Sequence, residues 1–90
     1  KELECYWGYL KELDVSKNVE LEKLDCNQCE ITALDVSHNP ALKILLCYGN
    51  AIKTLDVSNN PLLETVECEA CGLSDLDVSN NPALKRLGRI

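Results

Sequence analysis

The stretch LKILLCYGNAIKTLDVSNNPL, residues 42–62, is one unit of a repeat, and its apolar slots decide the fold. The phrase Leu-Asp-Val-Ser inside it starts at Leu55 and recurs at Leu13, Leu34 and Leu76, with every step 21 residues long. A fixed period over most of a chain is the signature of stacked units, each too small to bury its apolar side alone. In this unit the recurring slots are Leu42, Leu45, Cys47, Asn50, Ile52, Leu55, Val57 and Asn60. The unit before fills them with Leu21, Leu24, Cys26, Cys29, Ile31, Leu34, Val36 and Asn39. The unit after uses Leu63, Val66, Cys68, Cys71, Leu73, Leu76, Val78 and Asn81. Residues 1–90 therefore read as a single array of about four coils, starting near Leu21, Leu42, Leu63 and Leu84 after a partial coil over 1–20.

Within a coil, Leu45-x-Cys47 and Leu55-x-Val57 alternate with period 2, which marks a strand with one buried face. Neither half leaves room for the ten to twelve residues of 3.6 periodicity that a helix of ordinary length requires. Both flanks of each coil are expected to be extended, with strands at 4–6, 25–27, 46–48 and 67–69 stacked in register. The Asn-Pro steps at Asn39, Asn60 and Asn81 force a turn, because the residue before Pro is held extended and Pro has no amide donor. Val19 takes the Pro slot in the first coil, which predicts a looser corner there. Asn18, Asn39, Asn60 and Asn81 form a column whose amides are suited to satisfy buried backbone of their own and the next coil. The second corner reads Gly8, Cys29, Asn50, Cys71, so its ladder is incomplete and that side is expected to be less rigid.

Composition agrees with a narrow, regular interior. The chain has no Phe and no Met, and Leu, Val, Ile and Cys do the filling. Its net charge of −6 argues against a nucleic-acid partner or an anionic membrane held by charge. No apolar run is long enough to span a bilayer. The first residues lack a secretory leader, as a mature secreted chain also would.

Four groups of residues invite a chemical reading. Cys26-x-x-Cys29 and Cys68-x-x-Cys71 have zinc-type spacing, but the pairs lie two coils, or about 10 Å, apart. Cys5, Cys26, Cys47 and Cys68 recur in one inward slot and read as a ladder of free core thiols, since side chains stacked in register point the wrong way for a disulfide. Asp35, Ser37 and His38 superficially suggest a triad, yet Asp and Ser are repeat residues and the His slot holds Lys17, Asn59 and Asn80 elsewhere. The column Asp14, Asp35, Asp56, Asp77 offers carboxylates for calcium, though solvated carboxylates on the convex side are the simpler reading. No catalytic residue, metal ligand or cofactor site is assigned.

Binding is better written in the positions that vary. Outward residues beside Leu-x-Cys run Glu2, Lys23, Ile44, Thr65, Arg86 in one column and Glu4, Asp25, Leu46, Glu67, Gly88 in the next. A third column is Tyr6, Asn27, Tyr48, Glu69, Ile90, and a fourth Trp7, Gln28, Gly49, Ala70. The outward residues beside Leu-Asp-Val stay Asp and Ser. All the aromatics (Tyr6, Trp7, Tyr9 and Tyr48) lie on or beside the variable face, near Ile44 and Leu46. Such clusters are typical of partner-binding surfaces. The candidate set is Tyr6, Trp7, Tyr9, Lys23, Asp25, Ile44, Leu46, Tyr48, Glu67 and Glu69. The alternative for Tyr6, Trp7 and Tyr9 is to cover the first coil.

These motifs resemble leucine-rich repeats of the 21-residue nested type sometimes called IRREKO, whose halves read LxxLxCxxNxL and xxLDVxxNxx. Residues 42–52 match the first half and Leu55-Asp-Val-Ser-Asn-Asn60 the second, while Cys29 and Cys71 depart from it at an Asn slot. The resemblance implies a right-handed solenoid, mainly β with little or no α-helix, in an extracellular or cell-surface bacterial protein. It further implies a strand face that recognises a protein or surface glycan, without catalysis. A spacer segment of a surface protein, or an engineered repeat fragment, is the alternative. No capping segment flanks Leu3 and Cys5 or Leu84, Leu87 and Ile90, which predicts end-to-end self-association or a longer parent array.

Overall fold

The computed structural model describes residues 2–4, 12–28, 30–68 and 76–88, and within them leaves aside the side chains of Leu3, Glu4 and Glu12. Seven short strands follow one another: β1 (Glu2–Glu4), β2 (Glu12–Asp14), β3 (Lys23–Asp25), β4 (Ala33–Asp35), β5 (Ile44–Leu46), β6 (Thr65–Glu67) and β7 (Arg86–Leu87). Strands β1, β3, β5, β6 and β7 form one parallel sheet in that order, and β2 pairs with β4 in a second. Each partner is the residue 21 positions on: Leu24 faces Leu45, and Leu45 faces Val66. Among the described residues there is no helix.

The core lies between the two sheets. Leu21, Leu24, Cys26, Ile31, Leu34 and Val36 point inward from one coil, and Leu42, Leu45, Cys47, Ile52 and Val57 from the next. Burying an aliphatic side chain of this kind contributes about 1.5–3 kcal/mol, so each coil is stable only because its neighbour covers it.

The sheet lies two residues earlier in each coil than the pattern predicts. The inward centre of the strand is Leu24, Leu45 or Val66, and Cys26 and Cys47 are each the last residue before a turn. The amides of Cys26 and Cys47 still donate across to Leu46 and Glu67, both at 2.8 Å. Past that point the chain bends at once: Gly49 takes a φ of 75° and Gln28 a φ of 56°, in the left-handed region. Period-2 alternation alone does not show where a strand stops, because the first residue of the corner also points inward.

Asparagine side chains tie the coils together. The Asn39 amide donates to the carbonyls of Val15 (3.0 Å) and Asn18 (2.9 Å). Asn60 donates to Val36 and Asn39 at 3.0 and 2.9 Å, and Asn81 to Val57 and Asn60, both at 2.9 Å. The bonds reach the preceding coil, not the next one. Asn18 is exposed, and its carbonyl accepts from the Asn39 side chain. It is an acceptor at the foot of the ladder and not one of its rungs. The first corner is not looser for having Val19. It closes through the same two turn bonds as the Pro corners, Asn18 to Val15 and Leu21 to Asn18, each at 3.0 Å.

At the second corner Asn50 does the work of a whole column. Its amide donates to Cys26 (2.8 Å) and Cys47 (3.0 Å), and its oxygen accepts from the amide of Ile31 at 2.9 Å. Cys29 and Cys71 lie outside the described residues.

Asn60→Ala removes the two side-chain bonds to Val36 and Asn39, whose carbonyls keep their turn bonds from the amides of Asn39 and Leu42, so it is expected to cost about 1–3 kcal/mol in denaturant unfolding. Asn18→Ala is expected to cost less than about 0.5 kcal/mol. Equal losses at the two positions would contradict the direction of the ladder.

Candidate partner-binding face

The outward side chains of the five-stranded sheet make a flat patch of two columns. Lys23, Ile44, Thr65 and Arg86 are in register in the first, and Asp25, Leu46 and Glu67 in the second. Their backbones are fixed by the sheet and by the buried residue between them, which is why strand alternation presents all of them on one side. Ile44 and Leu46 are half-buried, as are Lys23, Asp25, Thr65 and Glu67, and Arg86 is exposed. Tyr48 stands at the rim, on the turn rather than the strand, and is 36% exposed. Its amide donates to the side chain of Asn27 at 2.9 Å, which locks the turn of one coil onto the turn below it. A Cβ at Gly49 would stand 2.7 Å from Cγ of Gln28, so glycine lets the two turns approach.

Of the residues singled out from the sequence, the structure therefore brings together Lys23, Asp25, Ile44, Leu46, Tyr48 and Glu67. Tyr6, Trp7, Tyr9, Glu69 and Cys5 lie outside the described residues. Thr65 and Arg86 complete the first column. Column alignment at 21-residue spacing already placed both on this face, but neither is apolar or aromatic.

The opposite side carries a different chemistry. Asp14, Asp35, Asp56 and Asp77 are exposed, and each accepts a 2.9 Å bond from the backbone amide of the Ser two residues on. The hydroxyls of Ser16, Ser37 and Ser58, and then their amides, hold the first three carboxyls below the ordinary value of 3.8. For Asp77 the amide of Ser79 contributes most, followed by its hydroxyl. These carboxylates cap their own turns. Among the described residues no three His, Cys, Asp or Glu side chains converge to hold a metal. Cys26, Cys47 and Cys68 are buried in the core and form no disulfide.

The Asp35, Ser37 and His38 group is exposed, with Ser37 Oγ 3.2 Å from His38 Nδ1. The serine stands in the middle, bonded to the aspartate on one side and the histidine on the other. Nucleophilic catalysis needs the base in the middle, oriented by the acid.

The fold is that of a β-rich leucine-rich-repeat solenoid, similar to a bacterial leucine-rich-repeat protein. The family model described as Leucine Rich Repeat matches residues 51–73. A solved structure, the functional domain of InlJ from Listeria monocytogenes, which includes a cysteine ladder, superposes with a TM-score of 0.94 at 38% identity. The match covers 97% of this chain and 20% of that one. No curated protein matches. Leucine-rich repeats generally mediate protein binding. Among the described residues no helix is long and apolar enough to cross a membrane.

A carboxyl held low in the folded state binds fewer protons there than in the unfolded chain, so its contribution is complete above 3.8 and is lost as pH falls through the lowered folded value. Unfolding free energy is thus expected to decline as pH falls below about 4. Asp56→Asn keeps the acceptor for Ser58 but removes one titrating group, so its decline should be shallower. An identical pH slope in the two proteins contradicts the capping role.

Proposed function

We propose that the chain is a non-catalytic binding module that recognises a protein partner through the face made by β3, β5 and β6. The observation that supports this most is the contrast between the two sides of the coil. On the convex side every coil repeats Asp and Ser, and each carboxylate is engaged in its own turn. On the strand side the same repeat carries Lys, Ile, Thr and Arg in one register position and Asp, Leu and Glu in another. A stacking surface needs no such variety, whereas recognition does. Ile44, Leu46 and Tyr48 supply an apolar centre with a polar surround, the usual anatomy of an interface hot spot. The likeness to the InlJ domain supports placing the chain in the same structural group, and we infer an extracellular or cell-surface setting in a bacterium.

The test is retention of partners from an extract of surface and matrix proteins on the immobilised chain. A protein retained by the chain should be lost, by about tenfold or more in affinity, when Leu46→Asp and Tyr48→Ser are introduced together. It should be kept when Asp35→Asn and Asp56→Asn alter the convex side. Retention that ignores the strand face would identify that face as inert and the array as a spacer.

A further inference from the structure

The second column of the strand face carries two carboxylates around an apolar side chain. In the second column Asp25 and Glu67 stand on either side of Leu46, each one strand away in exact register. Strands two apart are separated by about 10 Å, so the two carboxylates are about that far from each other with an apolar side chain midway. The first column is mixed, with Glu2 on β1 in register beside Lys23 on β3, then Ile44 and Thr65, and Arg86 on β7. The chain as a whole carries −6.

Any partner group seated on Leu46 takes both neighbouring carboxylates out of water. Carboxylates desolvated without a counter-charge oppose binding, and paired ones set register and orientation. The occupant of the second column must therefore present an apolar anchor with a cation about 5 Å to each side. An α-helix meets this spacing. Residues i and i+7 lie about 10.5 Å apart along its axis, with i+3 and i+4 between them on the same face. An extended strand repeats the same face about every 6.7 Å and runs out of step with these three positions.

We propose, building on the strand-face reading above, that the partner binds through an amphipathic helix laid across the strands along the second column. Its contact face carries a basic residue at i, an aliphatic or aromatic residue at i+3 or i+4, and a second basic residue at i+7. The basic residues meet Asp25 and Glu67, and the apolar ones meet Leu46. Tyr48 covers one flank of the helix from the rim.

The test uses a display library on a monomeric helical scaffold, randomised at i, i+3, i+4 and i+7 and selected on the intact chain. The expected consensus has Lys or Arg at i and i+7 and an aliphatic or aromatic residue between them. Asp25→Asn and Glu67→Gln should each weaken the selected helix by about three- to fivefold, and together they should flatten its salt dependence. Leu46→Asp should abolish binding, with thermal melts establishing that every variant folds and Leu46→Ala replacing it if it does not. Binders that need Leu46 yet lack the basic pair overturn this partner chemistry and leave the strand face as the binding surface. Binders indifferent to Leu46, or none at all, overturn the proposal outright.

Discussion

Everything in this molecule follows from a hydrogen bond that reaches back one coil. The amides of Asn39, Asn60 and Asn81 each donate to carbonyls 21 and 24 residues earlier. These carbonyls sit at corners, where the chain leaves its strand and backbone groups lose their sheet partners. Each accepts one turn amide of its own coil, and the Asn side chain adds a second bond from the next coil, worth about 0.5–1.5 kcal/mol. One side chain settles two of them, and it can do so only if successive coils are the same length. The 21-residue period is therefore a geometric requirement of the corner, and the apolar slots are in phase because the corners are.

Once the corners fix the period, the sheet supplies the function. In-register parallel pairing brings Lys23, Ile44, Thr65 and Arg86 into one line, and Asp25, Leu46 and Glu67 into another. The buried strand slots stay apolar from coil to coil, Leu24, Leu45 and Val66 among them, because the core packs on them. The outward ones bear no packing load, so they can differ without disturbing the stack. A rigid scaffold with freely chosen surface columns is well suited to recognition, because little ordering entropy is lost when a partner docks. The convex aspartates show the opposite case: they face water, yet they repeat because each caps a turn.

Much of this was legible in the sequence, and the misreadings share a cause. The solenoid, the inward Cys and Leu slots and the two variable columns all follow from the period, which is a property of the chain. The strand limits, the direction of the Asn bonds and the Val19 corner depend on backbone geometry, which the period does not encode. Cys26 and Cys47 alternate like strand residues but begin a corner, since Gln28 and Gly49 adopt left-handed backbone two residues later. Asn18 has the right identity and spacing for the ladder, yet its side chain is exposed and its carbonyl is what takes part. Val19 closes its corner as the prolines do, because the turn is set by the bonds of Asn18 and Leu21 and not by proline's ring. For the candidate site, Ile44 and Leu46 announce themselves as apolar residues in outward slots. Asp25 and Glu67 gain meaning only from their registered places on either side of Leu46.

The central claim is that coil length, and not local composition, holds the structure together. Two variants put it to the test most directly, read by cooperative thermal unfolding and β-type circular dichroism. One deletes residues 42–62, a whole period, and joins Ala41 to Leu63. The other inserts one alanine between Leu45 and Leu46, which turns the outward column inward for the rest of that strand. The account predicts that the shortened chain keeps a cooperative β fold of lower stability, while the chain with one added residue loses its cooperative transition. If the insertion is tolerated better than the deletion, the period is not what specifies this fold.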